Sequence, residues 1–163
     1  IQLILGALVR HTESALVIPD FPLAFGHLIL PIFELTSDPT APYPVDVEIL
    51  RQQILIQFTH RVWALIVCVA VTWLIARIIR AHNAIGQLVR PAFLLGALVV
   101  IQALLGASII WSGRAVWVAT GHVVVGAGIL STTVVIILRC WLLSVRLAAD
   151  SVVETSLAEG SAA

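Results

Sequence analysis

Two histidines, His60 and His122, lie at nearly the same depth in two strongly apolar segments of this chain. If those segments begin near Ile54 and Ala115, each histidine lies about 10 Å along a helix that rises about 1.5 Å per residue. An ionisable group at membrane depth is costly, so its presence points to a function. Two imidazoles at one level can ligate a single metal from opposite sides.

The imidazole pair favours coordination of a haem iron across a helix bundle, because histidine is a common axial ligand and bundles hold cofactors between facing helices. The alternative is that each imidazole hydrogen-bonds a nearby glutamine, serine or carbonyl oxygen and only joins two helices. Zinc and copper are disfavoured, because no third or fourth protein ligand of a suitable type lies at that level. The matched depth of the two histidines favours haem.

The residues at helical spacing from each histidine also fit a cofactor. A polar stripe on the first long apolar segment consists of Gln53, Gln57, His60 and Ala64. The corresponding stripe around His122 consists of the small residues Ala115, Ala119 and Gly126. Small residues leave room for a flat ligand, so we predict that Gln57 and Gly126 lie beside it. Close packing of helices is the alternative role for Gly126.

Two arginines are candidates for the acidic groups of such a cofactor. Arg61 follows His60 directly, and a charge at that depth needs a counter-charge or a route to water. Haem propionates would supply the counter-charge, whereas extension of the side chain towards the membrane surface is the alternative. Arg10, at the end of the first apolar stretch, is a second candidate for a propionate.

The elements that must position these residues are membrane-spanning helices. The chain has 60% hydrophobic and 11% charged residues, a composition that is typical of integral membrane proteins and excludes an ordinary soluble domain. Three apolar runs, about 54–76, 91–111 and 115–138, reach the length of about 20 residues that a bilayer requires. A fourth run, 1–9, is too short. Since the chain contains no methionine, we expect it to be part of a longer protein whose first helix is truncated here.

A short internal repeat predicts how the helices are arranged. The sequences of residues 1–7 and 101–107 agree at five of seven positions, including Gln-x-x-x-Gly. Each copy precedes a connection and then a helix that carries one of the two histidines. We therefore predict an all-α fold, an integral membrane four-helix bundle built from two parallel helix-hairpin repeats over residues 1–145.

The charges predict the orientation of this bundle. Most of the acids lie in the connection 10–52, in which Asp46 is expected to cap the next helix, whereas five arginines lie at the opposite end: Arg77, Arg80, Arg90, Arg139 and Arg146. Arginine-rich ends face the cytoplasm, so loop 10–52 and both histidines are placed towards the outer face of the cell's inner (plasma) membrane. The polar segment 146–163 is predicted to be a disordered cytoplasmic tail. The expected surrounding is lipid, and no nucleic-acid partner is expected.

The chain resembles the haem A synthase family over residues 1 to about 145. The resemblance rests on the sequence 5–10 (Leu-Gly-Ala-Leu-Val-Arg), Pro19-Asp20-Phe21-Pro22, His60-Arg61, and Gln102-x-x-x-Gly106-Ala107 followed by His122. The order and spacing of these motifs together are specific. Gln102 is accordingly placed among the residues around the cofactor.

The resemblance implies that this chain is part of a larger protein. Members of the family are usually eight-helix proteins made of two similar four-helix halves, each with a pair of histidines. One half processes haem O, and the other holds a haem b that helps to carry electrons. The family oxidises a ring methyl group of haem O to the formyl group of haem A for cytochrome oxidase, with oxygen thought to come from water.

Departures from the family pattern indicate which half this is. The catalytic half has a glutamate three residues before its first histidine, where this chain has Gln57. It also has two cysteines in the outer loop, at the positions that Ile18 and Ala24 occupy in this chain. Phe21 stands where the family usually has a tryptophan. The chain therefore resembles the half that holds haem b, with His60 and His122 as the iron ligands and haem O as the substrate of the full protein. Its catalytic residues stay unassigned.

The resemblance also implies partners. These are an N-terminal four-helix half or a second copy of the chain, and, beyond them, the enzyme that delivers haem O or oxidase-assembly factors. Two other functions remain open. One is a stand-alone membrane cytochrome b that transfers electrons to or from quinone. The other is a helical assembly subunit without a bound pigment.

Overall fold

The computed structural model describes residues 1–28, 46–82 and 85–161. Within those ranges the fold consists of four α-helices and a short 3₁₀ turn, Ser14–Leu16, with no β-strand. The helices are α1 Gln2–His11, α2 Val47–His82, α3 Gly86–Trp111 and α4 Val116–Ser161. The all-α class predicted from the sequence is confirmed. Residues 29–45 of the predicted outer loop lie outside the described residues.

Three of the helices are long and apolar enough to cross a bilayer. Their spanning segments are Val47–Ala81, Gly86–Trp111 and Val116–Ser151, with mean hydropathies of 2.4, 2.4 and 2.2. Most large apolar side chains on them point away from the other helices; Leu65 is 66% exposed and Ile137 is 60% exposed. Apolar area left in water costs about 25 cal/mol per Å². The chain is therefore a membrane protein whose outward faces contact lipid.

The long second helix begins well before the apolar run that the sequence shows. Asp46 caps it, because its Oδ1 accepts the backbone N–H of Glu48 at 3.0 Å and that of Ile49 at 3.4 Å. Such a cap satisfies donors that have no partner within the helix. The prediction that Asp46 caps this helix is confirmed, and α2 extends by nearly two turns into the polar sequence before residue 54.

Each helix packs against its neighbour in the chain: α1 on α2, α2 on α3 and α3 on α4. The α1–α2 and α3–α4 connections lie at one end of the helices, which we call the histidine end; the α2–α3 connection lies at the other, the arginine end. The main buried cluster is near the arginine end and consists of Ile78, Leu88, Ala92, Leu95 and Ile136. It holds α2, α3 and α4 together below the histidines.

The arginine end has a second attachment between α3 and α4. Pro91 lies inside α3 and has no N–H, so the Gln87 carbonyl loses the partner it would have in a regular helix. Nη1 of Arg139 on α4 donates to that carbonyl at 2.5 Å. The proline thus frees an acceptor, and the arginine of the adjacent helix uses it.

The connection between α3 and α4 is a tight turn. Gly113 and Arg114 both adopt left-handed backbone conformations, with φ of 60° and 66°. Their N–H groups donate back to the carbonyls of Ile110 and Ile109 at 3.2 and 2.8 Å, so the last turn of α3 is closed. Glycine accepts such a conformation without steric cost, which explains its position directly after the helix. The short turn makes α3 and α4 antiparallel neighbours.

The C-terminal segment differs from its prediction. The sequence predicts a disordered tail over 146–163, but α4 continues without a break to Ser161. The segment is rich in alanine, which has the highest helix propensity and allows a helix to continue once packing has started it. Its predicted cytoplasmic location stays a prediction.

Candidate functional site

His60 lies at the interface of α1 and α2, in contact with two residues of α1. The side-chain amide nitrogen of Gln2 is 3.2 Å from Nδ1 of His60, and it also donates to the His60 backbone carbonyl at 3.3 Å. One turn further along α1, a Cβ added to Gly6 would lie 3.3 Å from Cε1 of the imidazole. The absence of a side chain at Gly6 is what lets the ring lie against the α1 backbone.

His122 makes the corresponding contacts between α4 and α3. The amide nitrogen of Gln102 is 3.3 Å from Nε2 of His122. A Cβ added to Gly106 would lie 3.3 Å from Cε1 and 3.8 Å from Nδ1 of the ring, almost the distances found at Gly6. The Gln-x-x-x-Gly sequence therefore forms the same type of histidine contact in both places.

The two contacts differ in what holds the glutamine. A Cβ added to Gly126 of α4 would lie 3.2 Å from the amide nitrogen of Gln102, so this glycine leaves room for the amide. Gly128, two residues further along α4, also faces α3, since a Cβ added there would lie 3.7 Å from a methyl carbon of Leu98. Both glycines thus face α3, as the helix-packing alternative expects. Contact of Gly126 with a cofactor stays a prediction.

The structure places both imidazoles between helices, His60 between α1 and α2 and His122 between α3 and α4. Both rings are partly enclosed by the helices. Three polar atoms beside them are buried without a hydrogen-bond partner: Oε1 of Gln2, Oε1 of Gln102 and Nδ1 of His122. Buried polar atoms of this kind usually have a partner, so they mark a place that is equipped for a polar or coordinating group.

The described residues contain no group of three or more histidine, cysteine or acidic side chains that could hold a metal ion. A bare zinc or copper ion would need such a group. A haem iron takes only its axial ligands from the protein. Two histidines, each against a glycine, match the number of protein ligands that a haem iron takes.

Gln57 lies one turn before His60 on α2 and is only 4% exposed. Its Oε1 accepts the N–H of Ile18 at 2.8 Å, and its Nε2 donates to the carbonyl of Ala15 at 2.7 Å. We call residues 14–26, to which these partners belong, the connecting segment. Both polar atoms of the Gln57 side chain are therefore hydrogen-bonded to this segment. Contact of Gln57 with a cofactor stays a prediction.

Arg61, the next residue after His60, also binds the connecting segment. Nη1 donates to the carbonyls of Asp20 and Leu23, both at 2.9 Å, and Nη2 donates to that of Ile18 at 3.1 Å. The guanidinium carbon lies 5.8 Å from the centre of the Phe21 ring, a cation–π distance. These carbonyls solvate the charge of Arg61. Neither a propionate nor extension to the membrane surface is needed to explain how this charge is accommodated. Its contact with a propionate stays a prediction.

The connecting segment reaches α3 through an aromatic pair. The ring of Phe21 meets that of Trp111, at the end of α3, edge to face with centroids 6.2 Å apart. Within the segment, the Asp20 carboxylate accepts the N–H groups of Gly26 at 2.7 Å and Phe25 at 2.8 Å. The bond from Gly26 is the main reason why the pKa of Asp20 is below its usual value. The segment therefore has its own internal fold.

The remaining predicted residue, Arg10, is exposed in the last turn of α1. Sequence reasoning did not assign roles to Gln2, Gly6 and Gly106, although the structure places all of them against the histidines. The signal was present in the Gln-x-x-x-Gly repeat, which was used to predict the arrangement of helices and not to find contacts of the imidazoles.

Comparison with known proteins shows the family to which the sequence belongs. The sequence matches the family of cytochrome oxidase assembly proteins, COX15-CtaA, over residues 1–134. It is 36% identical to Heme A synthase 1 of Acidiphilium cryptum over 112 residues, which are 68% of this chain and 29% of that relative. It is 30% identical to Heme A synthase of Listeria monocytogenes serotype 4a over 120 residues, 72% of this chain and 32% of that relative.

The chain thus spans about a third of the length of these curated relatives. No solved structure matches it.

Proposed function

The chain belongs to the haem A synthase family, and we propose that within this family it forms the half that holds haem b through His60 and His122. The whole protein then oxidises a methyl group of haem O to the formyl group of haem A. The observation that carries the proposal is the repeated contact in which each imidazole lies against a glycine and beside a glutamine.

The residues of this chain would hold and orient the cofactor. His60 and His122 would be the axial ligands, and Gly6 and Gly106 would let each ring approach the neighbouring helix closely. A bound haem b would supply a one-electron carrier beside the catalytic half. The unpartnered Oε1 atoms of Gln2 and Gln102 are acceptors that a ligating imidazole N–H could use.

The position of Gln57 supports holding and not conversion. General acid–base chemistry needs a group that can gain and lose a proton near the reacting atom. An amide does not titrate, and both polar atoms of Gln57 are bound to the connecting segment. The catalytic carboxylate would therefore belong to another half, since a second copy of this chain would carry the same glutamine.

The same reasoning extends to architecture and partners. The matched histidine contacts support two parallel helix hairpins, α1–α2 and α3–α4, that are related by an axis along the membrane normal. Such a unit would pair with an N-terminal four-helix half or with a second copy of this chain. Its lipid surroundings would be those of the inner (plasma) membrane, with the histidine end outside and the end of α4 in the cytoplasm.

The direct test replaces each histidine in the full-length protein. We expect His60→Ala and His122→Ala each to remove the low-spin spectrum of haem b, because an alanine cannot ligate iron. A reduced-minus-oxidised spectrum of detergent-purified protein, combined with pyridine haemochrome analysis, measures this. His27, which is exposed and lies near the end of the connecting segment, provides the matched control His27→Ala, and this variant should retain the spectrum.

Unchanged spectra in both histidine variants would contradict the ligand assignment. Haem b together with haem O or haem A in the wild-type protein would support the synthase, whereas haem b alone would favour the stand-alone cytochrome. A wild-type protein without any haem would return both histidines to a role in helix packing.

A further inference from the structure

We propose that the connecting segment is a fixed cover over the histidine end, and that Gln57 and Arg61 are the residues that position it. This inference rests on the proposed function in one respect: the group that the cover protects is a haem held by His60 and His122. The cover itself follows from contacts between described residues.

The first observation is where the segment lies. Its 3₁₀ turn, Ser14–Leu16, contacts α1, α2 and α3, so it lies across the end at which these helices meet. Ser14 and Ile18 are fully buried, although they belong to a connection outside the helices. Ile18 and Ala24 form a small core with Ile54 of α2. A connection packed in this way covers the ends of α1, α2 and α3.

The second observation is that Gln57 uses both the acceptor and the donor of its side-chain amide to bind the segment. One polar atom accepts an N–H, from Ile18, and the other donates to a carbonyl, that of Ala15. A carboxylate has acceptors only, so it would face the Ala15 carbonyl without a proton to share. Buried acceptors that face each other cost free energy, and glutamate at this position would therefore loosen the segment.

The third observation is that Arg61 binds three main-chain carbonyls, of Ile18, Asp20 and Leu23. A planar guanidinium can donate in several directions from one rigid group, whereas a lysine ammonium is a compact charge on a flexible stem. The three carbonyls are spread over six residues of the segment. Arg61 therefore sets the path of the chain, and Gln57 fixes where that path starts.

The two residues flank His60, three positions before it and one after it on the same helix. The helix that carries one imidazole thus also carries the anchors of the cover. The consequence is that water-soluble reagents are excluded from the histidine site at this end. For a haem held by both histidines, such a cover would keep water-soluble oxidants away from the reduced iron.

The test compares Gln57→Leu and Gln57→Glu with Gln52→Glu in the full-length protein. Gln52 is exposed on the same helix, and among the described residues its side chain bonds Glu48 and not the segment, so its substitution makes the same change of charge away from the segment. Hydrogen exchange of peptides that cover residues 14–28 is followed by mass spectrometry. We expect roughly tenfold or faster exchange in both Gln57 variants, as loss of a buried hydrogen bond implies, and no change in Gln52→Glu.

A second readout is specific to an amide. At low pH the carboxyl group introduced by Gln57→Glu is protonated and again offers one donor and one acceptor. Its exchange should then return towards wild type, relative to Gln52→Glu at the same pH, whereas Gln57→Leu should stay fast. The charged or titratable groups nearest to it along α2 and in the segment are His60, Arg61 and Asp20, and all are the same in every variant.

A third readout links the cover to the haem. Ferricyanide, which does not enter lipid, should oxidise the reduced haem faster in Gln57→Leu and in Arg61→Lys, which keep the charge of the chain, than in the wild-type protein. Exchange that is equal in all variants would overturn the cover. Faster exchange with unchanged oxidation would overturn its role in exclusion. A wild-type protein without haem would contradict the proposed function and still leave the exchange result to decide on the cover.

Discussion

At the scale of single residues, the site depends on two glycines, whose lack of a side chain leaves room for the imidazoles. Gly6 and Gly106 each leave the space that an imidazole edge occupies, at nearly identical distances. Each glycine is paired with a glutamine one turn earlier on the same helix, so one face of a helix provides both room and a polar partner. Glycine in a helix interior lowers stability by about 1 kcal/mol relative to alanine. The repeated glycine is therefore explained by the ring beside it and not by the helix.

This explanation predicts a difference between two glycines. A Cβ at Gly106 would lie 3.3 Å from the His122 ring, whereas a Cβ at Gly128 would lie 3.7 Å from Leu98, an ordinary contact. We expect Gly106→Ala to weaken haem retention by about fivefold, which corresponds to about 1 kcal/mol, the lower limit for an overpacked contact. Gly128→Ala should retain haem and gain some thermal stability from the higher helix propensity of alanine.

Haem titration and thermal unfolding of both variants measure these effects. Equal haem retention in Gly106→Ala and Gly128→Ala would mean that the ring does not depend on this glycine.

At the scale of elements, the helices are joined by groups that regular helices leave free. Pro91 removes an N–H from α3, and the carbonyl released at Gln87 bonds Arg139 of α4. In the sequence neither residue suggests such a contact, because a proline predicts a break in a helix and an arginine predicts the membrane boundary. Their combination attaches α4 to α3 at the arginine end, opposite to the tight turn at Gly113.

A double-mutant cycle tests this attachment. We expect Arg139→Leu to lower the free energy of unfolding by about 1 kcal/mol, the net value of a hydrogen bond. In a Pro91→Ala background, the restored N–H can take the Gln87 carbonyl, so Arg139→Leu should cost less. Denaturant unfolding of the four proteins in detergent gives the coupling energy. A cost that is the same in both backgrounds would exclude the link between the proline and the arginine.

At the scale of the whole molecule, α4 is longer than a membrane is thick. It has 46 residues, a length of about 70 Å, whereas the hydrocarbon region is about 30 Å thick. Exposed tryptophans, Trp117 and Trp141, lie near the two ends of its apolar stretch, as aromatic side chains at membrane interfaces do. The helix is therefore long enough to continue beyond the bilayer at the arginine end.

The orientation is tested by labelling single cysteines in intact cells. In a background of Cys68→Ser and Cys140→Ser, an impermeant maleimide should label Ser112→Cys, in the α3–α4 turn, without permeabilisation. Asp150→Cys, on the extension of α4, should be labelled only after permeabilisation, because the arginine end is expected in the cytoplasm. The reverse pattern would invert the proposed topology and leave the fold unchanged.

The sequence alone determined the elements and the candidate ligands. Apolar runs of membrane length gave three spans, Asp46 gave the start of α2, and two histidines at matched depth gave the centre of the site. These features are local, since they depend on residue type and helical period. The same local reasoning failed after residue 145, because the polar composition of the tail concealed its helix propensity.

Only the tertiary structure decided which partners the polar side chains have. Gln57 lies on the stripe with His60 and Arg61 follows His60 directly, yet both bind a segment about 40 positions earlier in the chain. Gln2 lies 58 positions from the histidine that it contacts. A helical period shows which residues share a face, but the element that covers this face depends on packing between distant parts of the chain. That packing determines whether an amide beside His60 contacts a cofactor or anchors a cover.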